Sequence, residues 1–251
     1  MKKIVTLLGL AAFSFAGQAV AAEKGFKSIF DGKTLDGWDG DPKFWSVEDG
    51  SITGKTTKEN PTKGNTFIIW NGGKTGDFEL RLDYKIVGGN SGIQYRSFKL
   101  KNGADQWRVG GYQADIDSGP TYSGICYGEA FRGILSLRGK KTILQVGEDG
   151  KLKKSVEEFS KDADVAKAVK NEKWNSYRIV ARNFNLTQYI NGVKTTQVID
   201  RDKKTRRADG LLALQLHAGP PMKVQFKNIR IKELAKRKSK AGAAKKGEAK
   251  K

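Results

Sequence analysis

Asn90-Ser91-Gly92-Ile93-Gln94-Tyr95-Arg96 is the stretch that sets the fold of this chain. Ile93 and Tyr95 are apolar; Gln94 and Arg96 between them are polar. Successive side chains of a strand point to opposite faces, so this is a strand with one face for a core and one for chemistry. Two further stretches follow the same plan: Gly111-Tyr112-Gln113-Ala114-Asp115-Ile116-Asp117 and Ala213-Leu214-Gln215-Leu216-His217-Ala218-Gly219. If the three share a sheet, Gln94, Arg96, Gln113, Asp115, Asp117, Gln215 and His217 converge on one surface. Amides, carboxylates, a guanidinium and an imidazole on one surface make a site for a polar, hydroxyl-rich ligand.

Outward from these stretches, turn signals recur at short intervals: Asp31-Gly32, Asp36-Gly37, Asp49-Gly50, Asn71-Gly72-Gly73, Gly88-Gly89-Asn90, Asp149-Gly150 and Asn191-Gly192. The segments between them alternate. Phe78 to Ile86 places Phe78, Leu80, Leu82, Tyr84 and Ile86 on one face. Leu186 to Ile190 turns at Asn191-Gly192 into Val193 to Val198, a hairpin pattern, and Val224 to Ile231 is a final strand. One helix is expected over Asp164 to Lys170, capped by Ser160 or Asp162, with Val165, Ala168 and Val169 on its apolar side. Many short strands with little helix predict an all-β domain, two antiparallel sheets packed as a sandwich or jelly roll.

The two ends read differently. Residues 1–22 carry Lys2 and Lys3, an apolar run from Ile4 to Phe15 and small residues up to Ala22, the pattern of a cleaved export signal. The apolar run is shorter than the ~20 residues a membrane span needs. Residues 235–251 are rich in Lys, Ala and Gly, and predict a basic disordered tail. Residues 23–234 remain as one domain, exported to the periplasm or secreted. Of the formal charge of +20, Lys2 and Lys3 carry two. The stretch from Lys232 onward carries a net seven, nine Lys/Arg against Glu233 and Glu248, which leaves +11 on the rest. No basic-aromatic motif accompanies that charge, so no nucleic-acid partner is expected; the tail suits an anionic cell envelope or polysaccharide. The single Cys126 has no internal disulfide partner and reads as a small core residue.

Each candidate site residue has a plainer reading. His217, the only histidine, equally reads as a strand-end residue. Asp115 and Asp117 are two residues apart, roughly 7 Å along a strand, a spacing paired carboxylates use on glycosides; either could instead orient Arg96 or hold the turn at Asp117-Ser118-Gly119-Pro120. Tyr122, Tyr127, Glu129 and Arg132 follow in a glycine-containing stretch that suits a site rim or core packing.

These residues resemble a known family. Phe30-Asp31-Gly32-Lys33-Thr34-Leu35-Asp36-Gly37-Trp38, Trp45 to Ile52, Asn90-Ser91-Gly92-Ile93, Gly111 to Ile116, Trp174 to Ile179, Ile190-Asn191-Gly192 and Leu216-His217-Ala218-Gly219 fall in the order of the 3-keto-disaccharide hydrolase domain family, over roughly Phe26 to Leu234. The resemblance implies a concanavalin A-like jelly roll with one concave, ligand-carrying sheet, and an enzyme cleaving glycosides whose sugar is oxidised to the 3-ketone. A 3-ketone acidifies the neighbouring C2 proton. Asp115 or His217 would be the base, and Glu129 or Tyr127 would protonate the leaving oxygen. Arg96 and Gln94 would bind hydroxyls or the enolate oxygen, with Gln113, Asp117, Tyr127, Arg132 and Gln215 also on the substrate. A divalent metal on Asp115 and His217 could do the enolate work instead. The alternative reading is a lectin-like carbohydrate-binding module without turnover, or an envelope scaffold. The sugar, the linkage and the oligomeric state stay open at the level of sequence.

A chain ended after Leu234 is expected to melt within about 2 °C of the full chain, because a segment that buries no core contributes little to unfolding enthalpy. Calorimetry of the two proteins checks this; a larger drop would mean that the tail packs on the body.

Overall fold

A computed structural model of the protein describes residues 23–101 and 105–235. The export-signal segment and all but the first residue of the basic tail lie outside the described residues. Seventeen strands lie among the described residues: Lys27–Ser28 (β1), Trp38–Asp39 (β2), Trp45–Glu48 (β3), Ser51–Lys55 (β4), Thr66–Trp70 (β5), Phe78–Val87 (β6), Asn90–Lys99 (β7), Val109–Asp117 (β8), Cys126–Glu129 (β9), Gly133–Ser136 (β10), Lys140–Val146 (β11), Leu152–Glu158 (β12), Asn175–Arg182 (β13), Asn185–Ile190 (β14), Val193–Asp200 (β15), Leu211–Leu216 (β16) and Lys223–Glu233 (β17).

They form two sheets. One has the order β12-β11-β15-β14-β13-β6-β17-β4-β3, with β1 beside β17; the other runs β10-β9-β8-β7-β16-β5-β2. The pairing is antiparallel throughout except β11 with β15, which is parallel. The fold is the all-β, jelly-roll-type sandwich that the alternation predicts, and the three opening stretches do become adjacent strands, β8-β7-β16.

The period-two residues build the core. β6 alternates buried and half-buried along Phe78 to Ile86. From the other sheet, Ile93, Tyr95, Tyr112, Ala114, Ile116, Leu212, Leu214 and Leu216 meet that face in one cluster. Tyr95 sits edge-on to Phe78 at 5.9 Å and stacked on Tyr112 at 5.8 Å, both favourable aromatic geometries. Cys126 is buried beside the Tyr95 hydroxyl, and burial pushes its thiol up to about 12. The Asn191-Gly192 turn has positive φ at both residues, 48° and 83°, as a tight hairpin of right-handed strands requires. The outermost strand of the larger sheet, β12, is exposed over nearly its whole length. Its Glu157 pairs with Lys141 of β11 at 2.7 Å, and its Glu158 with Lys140.

Two local expectations are corrected. The helix (α1) spans Asp162–Ala166 only, with Lys161 at the N-cap and no side-chain cap. Asp162 is taken instead by Arg138, whose Nε and Nη2 donate to its two carboxylate oxygens at 2.8 Å each. The second correction is Arg96. Strand pairing slips between Tyr95 and Phe98, and Arg96 has φ of 48°. This bulge carries the side chain off the polar face. Its guanidinium is fully buried and donates to the carbonyls of Gly76 (2.8 and 2.9 Å), Asn183 (2.5 Å) and Arg207 (3.3 Å) and to Asp77 Oδ1 (3.0 Å).

Replacing Arg96 with alanine is therefore expected to destabilise the fold by about 3–5 kcal/mol, since it strands a mostly buried Asp77 and three carbonyls without their donor. Denaturant unfolding measures it. A cost below about 1 kcal/mol would mean that water replaces the guanidinium.

Candidate functional site

The site follows from register. Residues directly opposite each other on neighbouring strands share a face. Across β7 and β8, Gln94 faces Gln113, Gly92 faces Asp115 and Asn90 faces Asp117. Across β8 and β9, Gln113 faces Tyr127 and Gly111 faces Glu129. On the other flank, β16 sets Ala213 beside Gln94 and Gln215 beside Phe67 of β5. The surface opposite the core thus carries Glu129 and Tyr127, then Gln113 and Asp115, then Gln94, then Gln215.

A directional chain of amides joins these side chains. Ser97 Oγ donates to Gln94 Oε1 (2.7 Å), and Gln94 Nε2 to Gln113 Oε1 (2.5 Å). Gln113 Nε2 donates to Asp115 Oδ1 (2.6 Å) and to Gln215 Oε1 (3.4 Å); Gln215 Nε2 donates to Glu129 Oε2 (3.4 Å). Asn90 Nδ2 reaches Asp115 Oδ2 (3.4 Å), and Asn65 Nδ2 reaches Glu129 Oε1 (3.1 Å). Each of the three glutamine oxygens accepts and each glutamine nitrogen donates, and the chain ends on two carboxylates. Gln94, Gln113 and Gln215 are buried, as buried amides can be only when their polar atoms are matched.

Gly92 makes the chain fit. A Cβ there would lie 2.5 Å from Gln113 Cγ and Cδ, so the Gln113 side chain occupies the space a side chain at 92 would need. Beside this polar half lies an apolar half of the same face: Phe67, Ile69, Val109 and Ala213, with Trp107 and Leu211 packed against them. The Trp107 indole N–H donates to Asp39 Oδ1 at 2.7 Å.

Burial of Asp115 raises its carboxyl to about 7, with the charges of Asp117 and Glu129 adding to the rise and the bonds from Gln113 and Asn90 opposing it. Burial also raises Tyr127, and the charges of Glu129 and Asp115 push the same way. A carboxyl at about 7 can give or take a proton near neutrality, which acid–base catalysis requires.

The other candidates fall at the rim or elsewhere. Asp117 accepts from the Tyr122 N–H at 3.3 Å at the end of β8. His217 lies just past β16, half-buried, with Nδ1 2.6 Å from the Ala218 carbonyl. A carbonyl only accepts, so Nδ1 carries the proton and, in neutral imidazole, Nε2 is left as an acceptor. The next N–H, of Ala218, donates to Asn65, the residue that also holds Glu129. Arg96 and Arg132 are not brought to this face. Arg132 packs against Phe131 and the core-facing Tyr112, with its guanidinium on Asp200 and Asp202. Among the described residues, no three His, Cys, Asp or Glu stand close enough together to hold a metal ion.

Asn65, Gly92 and Ser97 are missing from the candidates drawn from sequence. A glycine inside an alternating strand is a readable signal of close approach. Asn65 lies in a loop without periodicity and has no such signal.

The sequence model of the 3-keto-alpha-glucoside-1,2-lyase-like domain matches residues 25–232. The chain belongs to that family. A curated relative, a 3-keto-disaccharide hydrolase from Bacteroides thetaiotaomicron, is 40% identical over 83 residues, which is 28% of this chain and 27% of that protein. Two solved structures from Parabacteroides distasonis ATCC 8503, both provisionally assigned as glycosyl hydrolases, are 20% identical, with TM-scores of 0.52 and 0.53. They cover 84% and 83% of this chain and 94% and 99% of their own. That likeness concerns the fold. Family and relative together support a glycoside hydrolase or lyase type.

Gly92→Ala tests the amide chain. The added methyl is expected to displace Gln113 and cost about 1–3 kcal/mol of stability, as overpacking does. It should also raise the Asp115 carboxyl further, because the Gln113 bond holds it down. Carbon NMR titration of Asp115 reads the second effect, and an unchanged midpoint would refute the role given to Gln113.

Proposed function

We propose that this protein is an exported enzyme that cleaves the glycosidic bond of 3-keto-disaccharides and related 3-keto-glycosides, by elimination across C1 and C2 followed by addition of water. The observation that supports it best is the pair of carboxyls, Asp115 and Glu129, at the two ends of one amide chain, with Asp115 tuned to about 7. Export rests on the pattern of residues 1–22.

In this reading the Asp115 carboxylate removes the C2 proton, which the 3-ketone makes acidic. The electron pair passes first into the enolate and then into a C1–C2 double bond as the C1–O bond breaks. Glu129 or Tyr127 supplies the proton for the departing oxygen. Water then adds across the double bond, hydrogen to C2 and hydroxyl to C1, so the net change is hydrolysis. Tyr127 and His217 stand at the rim to meet the sugar hydroxyls and the enolate oxygen; Nε2 of His217 is the second candidate base. Gln94, Gln113 and Gln215 are positioning residues, since their amides are consumed in holding the carboxyls. That same closed set of amide bonds also favours a second reading, a face that binds sugar without turning it over.

A panel of 3-keto and ordinary disaccharides, incubated with the purified protein and followed by released sugar, separates the two readings. Asp115→Asn is expected to lower turnover of a 3-keto-glycoside by about 10²-fold or more, the usual worth of a general base. kcat/KM should rise with pH to half its plateau near 7, because only the ionised carboxyl accepts a proton. Stability should move the other way. The folded carboxyl keeps its proton up to about 7, whereas an unfolded Asp releases it near its ordinary 3.8. The folded state therefore binds more protons in that window, and stability falls as pH rises through it. Asp115→Asn should remove that slope. Wild-type turnover in both Asp115→Asn and Glu129→Gln would overturn the proposal.

A further inference from the structure

A second cluster of polar side chains lies away from the amide face and carries the opposite charge. β15 ends at Asp200, and the chain continues as Arg201-Asp202-Lys203-Lys204-Thr205-Arg206-Arg207, five cations in seven residues. This loop faces the turn between β11 and β12 across a cleft of about 580 Å³, in the size range of small-ligand sites. The Arg201 N–H donates to the Leu144 carbonyl at 2.8 Å, which fixes the loop to the end of β11. Arg132 reaches the cleft from below, Val146 and Leu152 give it an apolar wall, and Arg201, Lys203 and Lys204 stand exposed on its rim.

The cations of this cleft are poorly matched from within. Its one lining carboxylate, Asp202, already accepts from the N–H groups of Lys204 (3.0 Å) and Thr205 (3.3 Å) and from the Thr205 hydroxyl, and lies 3.5 Å from Arg132. Among the described residues no carboxylate pairs with Arg201, Lys203 or Lys204. Asp149, on the facing turn, pairs with Lys153 at 3.3 Å. Beneath them, the Arg132 side chain is only 9% exposed, and its buried Nε has no hydrogen-bond partner. A buried guanidinium N–H without a partner is costly.

We propose that this cleft binds an acidic polysaccharide through its carboxylates, a second carbohydrate site separate from the amide face. A pyranose ring presents an apolar face that Val146 and Leu152 can carry, while uronate carboxylates along the chain meet Lys203, Lys204 and the planar fork of Arg201, which matches a carboxylate with two parallel bonds. A lipid surface fits less well, because the exposed part of the loop offers no large apolar side chain to insert. A nucleic acid fits less well because no aromatic lines the cleft for bases to stack on. The amide face suits the same ligand less well, since neither Arg96 nor Arg132 is brought to it and Asp117 stands at its edge. The site would hold the enzyme on an anionic matrix while leaving the amide face free for a neutral sugar.

The test uses the full-length protein with polygalacturonate as the probe and dextran as the neutral control, by affinity electrophoresis at several salt concentrations. Wild type is expected to bind polygalacturonate and not dextran, more weakly as salt rises. Lys203→Glu/Lys204→Glu should bind about tenfold or more weakly, because rim charges act together on a polyanion. The same charge change at exposed Lys27 and Lys33 should have little effect, and turnover at the amide face should stay at the wild-type level in both variants. Melting curves establish that the variants fold, and the milder Arg201→Gln should fall between. Equal weakening in the Lys27/Lys33 control would mean diffuse attraction and overturn the proposal. So would unchanged binding in the Lys203/Lys204 variant, or a loss seen with anionic phospholipid vesicles but not with polygalacturonate. None of these binding outcomes depends on whether the amide face is catalytic.

Discussion

One buried guanidinium holds the two sheets in relation to each other at one end. Arg96 belongs to β7, in the sheet that carries the amide face. The groups it holds, Gly76, Asp77 and Asn183, belong to the turns that enter β6 and join β13 to β14 in the opposite sheet. The bulge that turns it inward is matched by Gly210: a Cβ at that position would lie 2.4 Å from the Arg96 carbonyl carbon. An arginine in a protein interior survives only when nearly all its donors are used and a carboxylate balances it, and both conditions are met. With that corner fixed, the register of β7 is fixed, and with it which residues of β7, β8 and β16 face away from the core. A slip of one residue would carry Gln94 into the core and Tyr95 out of it.

The fold was largely legible because alternation is a direct record of burial. Ile93, Tyr95, Tyr112, Ala114, Ile116, Leu214 and Leu216 all sit in the core, and Gln94, Gln113, Asp115 and Gln215 all sit opposite it. Alternation places Arg96 on the polar face, but the strict period ends at Tyr95. The spacing from Tyr95 to Phe98 is three, and that break in period is the trace of the bulge. Arg132 and Asn65 lie in loops, where side-chain direction is set by tertiary partners such as Asp200 and Glu129 that no local pattern names. The expected helix shrank for a similar reason: Asp162, a good cap by type, is held by Arg138, twenty-four positions earlier.

The amide face has an unusual division of labour. Three glutamines that sequence alone suggests for binding sugar are committed to one another and to two carboxyls, so rigidity is placed beneath the acid groups rather than at the ligand. Such positioning fixes the carboxyls without adding a cation nearby, and the absence of a close positive charge is what lets burial lift Asp115 so far. A lysine at Gln94 or Gln113 would set a cation near Asp115 and undo the tuning. Charge is thereby sorted across the molecule, with the acid groups on the amide face of the smaller sheet and the Arg201–Arg207 cations in the loop after β15 of the larger one.

The exposed outer strand β12 has a consequence for how these molecules meet. An unpaired strand edge is a template on which another chain can add, and the larger sheet presents ten strands' worth of regular backbone behind that edge. Here the edge carries Lys153, Lys154, Glu157 and Glu158, with the two glutamates tethered back to β11. A second chain approaching in register would have to desolvate both signs of charge at once, and break two ion pairs, before forming its first ladder bond. The sheet is in this way a finished object: it can be long on one side of the sandwich without inviting its own extension.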